Sequence, residues 1–148
     1  MRRLTSNFTD EEFKCRHCGV NRIELAFVQQ LQQLRDAIQK PIHINSGFRC
    51  AAHPVERAKP PGSFSAHMYG IAADIYCPSL SLELLWKAVI QQPLFKGIGV
   101  APWQNYLHVD TRAKPARWAY NRMGETVWWS GKWEDLSKVT GFVGTKVE

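Results

Sequence analysis

The chain has no long apolar run. None of its hydrophobic stretches approaches the ~20 residues that a membrane helix needs, so no membrane span is expected. The amino terminus, Met1-Arg2-Arg3-Leu4-Thr5-Ser6-Asn7-Phe8, begins basic, but no apolar segment of the secretory kind follows it. The reading is a chain made in the cytoplasm without a signal peptide. Internal repeats, low-complexity tracts and linkers are also missing, and 148 residues suit one domain, 1–148, read as a monomer. Acidic residues are few: 13 against 19 basic ones leave a net charge of +6. That excess suits polyanionic surroundings such as nucleic acid, an anionic membrane or an acidic cell wall, or it serves solubility alone. No RRM, zinc-finger or helix-turn-helix pattern goes with it, so a nucleic-acid partner is not expected.

Cysteine is scarce as well, with four residues, Cys15, Cys18, Cys50 and Cys77. Cys15-Arg16-His17-Cys18 has the spacing of half a structural zinc site, whose other half would come from Cys50 and Cys77. Disulfides in an oxidising compartment, or four reduced thiols, are the alternatives.

What is present is globular, with 45% apolar and 22% charged residues. Thr9-Asp10-Glu11-Glu12 reads as a capping box opening a short helix through Phe13. A helix is expected from about Glu24 to Gln39, its stripe formed by Leu25, Val28, Leu31, Leu34 and Ile38, with Pro41 ending it. A second is expected from about Ser81 to Gln92, burying Leu82, Leu85, Trp86, Val89 and Ile90. Strands are expected at Ile42–Asn45, after Ala72, at Gly97–Val100, around His108, near Trp118–Tyr120 and over Glu125–Ser130. Residues 50–64 read as a long loop in which His53 is solvated or touches substrate. Trp128, Trp129 and Trp133 either close the core or line a sugar groove. The tail from Trp133 to Glu148 carries little pattern and is expected to be partly mobile.

The chemistry concentrates in Ser65-Ala66-His67-Met68-Tyr69-Gly70-Ile71-Ala72-Ala73-Asp74 and in Leu107-His108-Val109-Asp110. His67, Asp74 and His108 are of the types that hold catalytic zinc, which takes three protein ligands and keeps a fourth place for water. Gly70 lets the backbone bend sharply between the first two. Alternation puts His108 on one face of its strand and Asp110, two residues on, on the same face.

The pattern Ser65-x-His67-x-x-Gly70-x-Ala72-x-Asp74, followed by a strand histidine, resembles the signature of the zinc D-alanyl-D-alanine carboxypeptidase family. That family holds bacterial and phage murein peptidases and shares its fold with the hedgehog signalling domain. The likeness runs from about Phe8 to Trp118. Gly97-Ile98-Gly99-Val100, then His108-Val109-Asp110, Thr111-Arg112 and Arg117-Trp118 are similar to the phage-type branch. Ser46-Gly47-Phe48-Arg49 matches the family's Ser-Gly-Tyr-Arg with one change. The loop of residues 50–64 departs from its relatives at Pro54 and Pro60-Pro61.

The resemblance implies an α+β fold: a small antiparallel sheet carrying the metal site, flanked by two main helices. It implies Zn2+ on His67, Asp74 and His108, and an active-site arginine, Arg49, that grips a carboxylate or steadies oxyanion charge. Ser65 and Tyr106 would line the substrate site, Ser65 as a support rather than a nucleophile. Many relatives carry an acid three residues before the last histidine ligand, where this chain has Asn105, and asparagine is no base. Asp110 is then the candidate general base, or else a carboxylate that orients His108. The implied activity is hydrolysis of D-amino-acid-containing stem or cross-link peptides of bacterial peptidoglycan. A phage endolysin or wall-opening virion component fits best, acting on the cell wall after lysis or from the virion. A D-Ala-D-Ala carboxypeptidase and a non-catalytic zinc-stabilised virion protein remain the alternatives.

Overall fold

A computed structural model describes residues 1–144 of the chain. The capping box forms as expected, the Glu12 carboxylate accepting from the Thr9 N–H at 2.8 Å, but the helix it opens is one 3-10 turn, Asp10–Glu12. Helix α1 spans Leu25–Ile38 and strand β1 His43–Ser46. The loop of residues 50–64 holds a short helix α2, Pro54–Arg57. Pro54 supplies its first turn, where a missing N–H costs nothing. His53 caps it, its Nδ1 accepting from the Val55 N–H at 3.1 Å. Next come β2 (Ala72–Tyr76), α3 (Leu82–Ile90), β3 (Gly97–Ala101), β4 (Tyr106–Asp110), β5 (Ala116–Tyr120) and β6 (Thr126–Val127). Helix α4, Leu136–Thr140, closes the described chain behind a 3-10 turn at Trp133–Asp135. The tail from Trp133 is therefore folded as far as Thr140, while residues 145–148 lie outside the described residues.

The six strands form one sheet in the order β1-β2-β4-β3-β5-β6. The α+β class holds, and the pairs β1–β2, β2–β4 and β4–β3 are antiparallel. The pair β3–β5 is parallel, reached by the crossover through β4. The expected strand at Glu125–Ser130 shrinks to Thr126–Val127 at the sheet edge.

Strand alternation sorts the two faces. Ala73, Ile75, Ile98, Val100, Leu107 and Val109 join one core with Phe27, Val28, Leu31 and Leu34 of α1 and Leu85, Trp86 and Val89 of α3. The helix stripes differ from expectation at their ends. Leu25 and Ile90 are exposed, and Phe27 takes the place in the core expected for Leu25, its ring 6.2 Å from that of Phe95. Trp129 and Trp133 pack around Trp86 and close the core; Trp128 is 79% exposed and does not.

The opposite face carries the polar residues. Register aligns Ser46, Asp74, His108, Gly99 and Trp118 in one row across the sheet, and Ala72, Asp110, Gly97 and Ala116 in the next. Both glycines are dictated by their neighbours. A Cβ at Gly97 would collide with the Asp110 carboxylate, and one at Gly99 with the Trp118 indole. No helix among the described residues is long and apolar enough to cross a membrane.

Gly47 packs against the backbone of Phe13, whose carbonyl accepts from the Phe48 N–H at 2.8 Å. A methyl group there meets main chain, which cannot rotate away. We predict that Gly47→Ala lowers unfolding stability by ~1–3 kcal/mol, measured by urea denaturation; an unchanged midpoint would refute the packing described.

Candidate metal centre

His67 sits in a tight turn of residues 65–70 that ends at Gly70 with φ of +71°. The turn is locked from two sides: the Gly70 carbonyl accepts from the Glu24 N–H at 2.8 Å, and the His67 carbonyl from the Arg49 N–H at 3.2 Å. A side chain at Gly70 would have to occupy the left-handed region and also strike the Arg22 carbonyl. Asp74 and His108 face each other as partners across β2 and β4. One turn and two adjacent strands therefore bring three residues to one point.

Their donor atoms form a nearly equilateral triangle. His67 Nε2 lies 3.2 Å from His108 Nδ1, and Asp74 Oδ1 lies 3.3 Å from each. Tetrahedral zinc with bonds of ~2.0–2.1 Å separates its donors by ~3.3 Å, so the triangle has the size of one face of that tetrahedron. The chemistry of the set also fits: two imidazoles and a carboxylate.

The outward atom of each residue is fixed by a hydrogen bond. His67 Nδ1 donates to the Gly47 carbonyl at 2.8 Å, which turns the Nε2 lone pair inward. His108 Nε2 donates to Asp110 Oδ2 at 2.7 Å, which turns Nδ1 inward. The Arg49 Nη2 group donates to Asp74 Oδ2 at 2.9 Å, leaving Oδ1 to face the imidazoles. Such outer contacts set tautomer and orientation before an ion arrives. Burial alone would raise both carboxyls. The imidazoles hold Asp74, and His108 with Arg112 hold Asp110, well below the ordinary carboxylate range. Both acids are thus ionised at neutral pH.

Asp110 lies on the far side of the His108 ring from the donor triangle. It is fully buried, accepts from Arg112 Nε at 2.8 Å, and does not line the open cleft. Of the two roles expected for Asp110, this geometry suits the carboxylate that orients His108 better than a base beside the metal: alternation put Asp110 on the right face, but it binds the ring at Nε2, away from the triangle. The Arg49 nitrogens go to Ser46 Oγ at 3.0 Å, Glu56 Oε2 at 3.1 Å and Asp74 Oδ2 at 2.9 Å, all protein acceptors. Asn105 sits at the exposed β3–β4 turn with φ of 58°, a left-handed conformation asparagine tolerates, and it does not line the cleft either.

The cleft over the triangle has a volume of about 480 Å³. Ser65, Tyr106 and Arg49 line it, with Lys59, Arg112, Trp118 and Tyr120. Among the described residues that line it, Asp74 is the one carboxylate. The Arg112 guanidinium lies over the rings of Phe64 and Trp118, 5.0 Å from each centroid, which helps hold it in place. Burial raises the Tyr106 and Tyr120 hydroxyls, Tyr120 to about 12, so both are hydrogen-bond donors at neutral pH.

Glu56, Lys59 and Tyr120 are site residues that sequence reasoning missed. Glu56 is buried between Arg49 and Lys59, its Oε1 accepting from Lys59 Nζ at 3.1 Å. The helical Glu56–Lys59 spacing just after a proline start was the available signal. Cys15, Cys18 and Cys50 gather away from the triangle, while Cys77 is buried in the main core; all four are free thiols.

A family model described as peptidase M15 matches residues 6–110, which include every residue of the donor triangle and its hydrogen-bonded supports. No curated protein matches the chain. Since Asp110 acts on the triangle through His108, Asp110→Asn is expected to weaken zinc binding ~10–100-fold, measured by competition with a chromogenic chelator. Unchanged affinity would contradict the orienting role.

Proposed function

The chain belongs to the peptidase M15 family, the zinc-dependent D-Ala-D-Ala carboxypeptidase type, and from that premise we propose that it is a peptidoglycan peptidase. Its substrate would be a stem or cross-link peptide containing D-amino acids. The observation that carries the reading is the donor triangle of His67, Asp74 and His108, open on its cleft side.

Zinc bound there would lower the pKa of a coordinated water to ~7 and polarise a substrate carbonyl. The protein's own groups do the rest. His67 and His108 keep their lone pairs inward because Gly47 and Asp110 take the outward protons. Arg49 holds Asp74, and Glu56 holds Arg49. Tyr106 and Tyr120 donate hydrogen bonds to the carbonyl oxygen as negative charge grows on it. Arg112 and Lys59 offer positive charge to the carboxylates of an acidic stem peptide.

Cleavage within a peptide and release of a terminal D-alanine both suit this cleft. Arg49 has three of its five N–H groups on protein acceptors, and Arg49, Lys59 and Arg112 all line the cleft as cations for a terminal carboxylate. A phage lysin or virion component that acts on the wall as a monomer agrees with the net charge of +6. A second reading, a metal-binding protein without hydrolysis, is favoured by one observation: no carboxylate other than Asp74 lines the cleft among the described residues.

Digestion of purified peptidoglycan, with mass analysis of the fragments, decides between these. The expected result is release of peptide fragments, abolished by a chelator and restored by zinc. Absence of fragments from zinc-loaded protein would select the second reading. Within the enzyme reading, Tyr106→Phe should lower kcat ~10²–10³-fold with zinc retained, as loss of an oxyanion donor does. An unchanged kcat would remove Tyr106 from that role.

A further inference from the structure

The second gathering of metal-binding side chains is independent of the cleft. Cys15, Cys18 and Cys50 place their sulfurs within 4.8 Å of one another. The loop that carries the first two folds back on itself: the Cys15 N–H donates to the Val20 carbonyl and the Gly19 N–H to the Cys15 carbonyl, both at 2.8 Å. Gly19 takes φ of +77° to make that bend, with open space where a side chain would be, so backbone conformation selects glycine there. The third thiol arrives from thirty-five residues away, and the Cys50 N–H donates to Cys15 Sγ at 3.4 Å.

We propose that Cys15, Cys18 and Cys50 form a structural zinc site, distinct from the triangle in the cleft. Zinc–thiolate bonds of ~2.3 Å set sulfur separations of ~3.8 Å, so an ion would draw these sulfurs together by about 1 Å at most. A disulfide accounts for the cluster less well. It joins two sulfurs at ~2.05 Å and leaves the third of a close-set trio without a partner. The sulfurs range from buried Cys15 to exposed Cys18, which gives an ion an entry path. The fourth place falls to water or to His17, an exposed imidazole between the two loop cysteines that makes no hydrogen bond among the described residues.

The site has a structural task that follows from where Cys50 stands. It is the residue next to Arg49, and the Arg49 N–H and guanidinium hold the His67 turn and Asp74. An ion on Cys50 would tie that segment to the N-terminal loop and steady Arg49 from behind. Cys77, buried in the core, takes no part.

Cobalt substitution tests this on the full-length protein, because the cleft triangle contains no sulfur. The Co2+ protein is expected to show a thiolate-to-cobalt charge-transfer band in the near ultraviolet, and the zinc protein about two metal ions per chain by elemental analysis. Cys18→Ala, at an exposed position, should remove the band and one of the two ions while circular dichroism stays that of a folded chain. Should Cys18→Ala fail to fold, the band of the unaltered protein still decides the matter. A cobalt spectrum without the band, or a disulfide between two of the three cysteines mapped in protein prepared without reductant, would overturn the proposal. None of these readings depends on hydrolysis, so a failure of the peptidase assay leaves this test intact.

Discussion

Three lone pairs pointed at one another inside a protein repel, and the rest of this structure is arranged to keep them so. His67 Nε2, His108 Nδ1 and Asp74 Oδ1 stand 3.2–3.3 Å apart while the face beyond them opens to a cleft. A proton shared among them relieves part of that repulsion; a divalent cation relieves all of it. Left free, each ring could flip and each carboxylate could turn to solvent. The Gly47 carbonyl, Asp110 and Arg49 forbid it, each by one hydrogen bond to the outward atom. The site is organised in advance for an ion, and the ordering cost is met when the chain folds.

The sheet explains why so few residues suffice. Cross-strand register sets Asp74 against His108, and the next row sets Asp110 against Gly97. A buried carboxylate needs room above the pleat, and glycine supplies it. The same device at Gly99 seats the Trp118 indole, which lies 5.1 Å from the His108 ring and helps hold it. Support then spreads outward as alternating charges, from Asp74 to Arg49 to Glu56 to Lys59 on one side and from His108 to Asp110 to Arg112 on the other. Each buried charge meets an opposite one, the condition under which burial is tolerated.

Much of this was legible before any coordinates. The ligand trio follows from residue type and spacing, and both main helices from their 3.6-residue stripes. Alternation alone placed His108 and Asp110 on one face. What alternation cannot say is which side of a ring a neighbour occupies, so Asp110 could be read either as a base or as the carboxylate that orients His108. Arg49 was legible as a site residue, but its partners were not. Glu56 sits in a stretch that read as loop, and only folding of Pro54–Arg57 into a helix brings it beneath Arg49. The parallel pairing of β5 with β3 is a tertiary choice with no local mark. Cys15 and Cys18 were legible as half a zinc site, but that Cys50 joins them while Cys77 stays in the core is a tertiary fact.

The central claim concerns geometry and is best tested by seeing the ion. Crystals of zinc-loaded protein should give an anomalous-scattering peak ~2.0–2.1 Å from His67 Nε2, His108 Nδ1 and one oxygen of Asp74, with the fourth side facing the cleft. A peak on the Nε2 side of His108, a fourth protein ligand closing the cleft side, or no peak among these residues at saturating zinc would contradict the account.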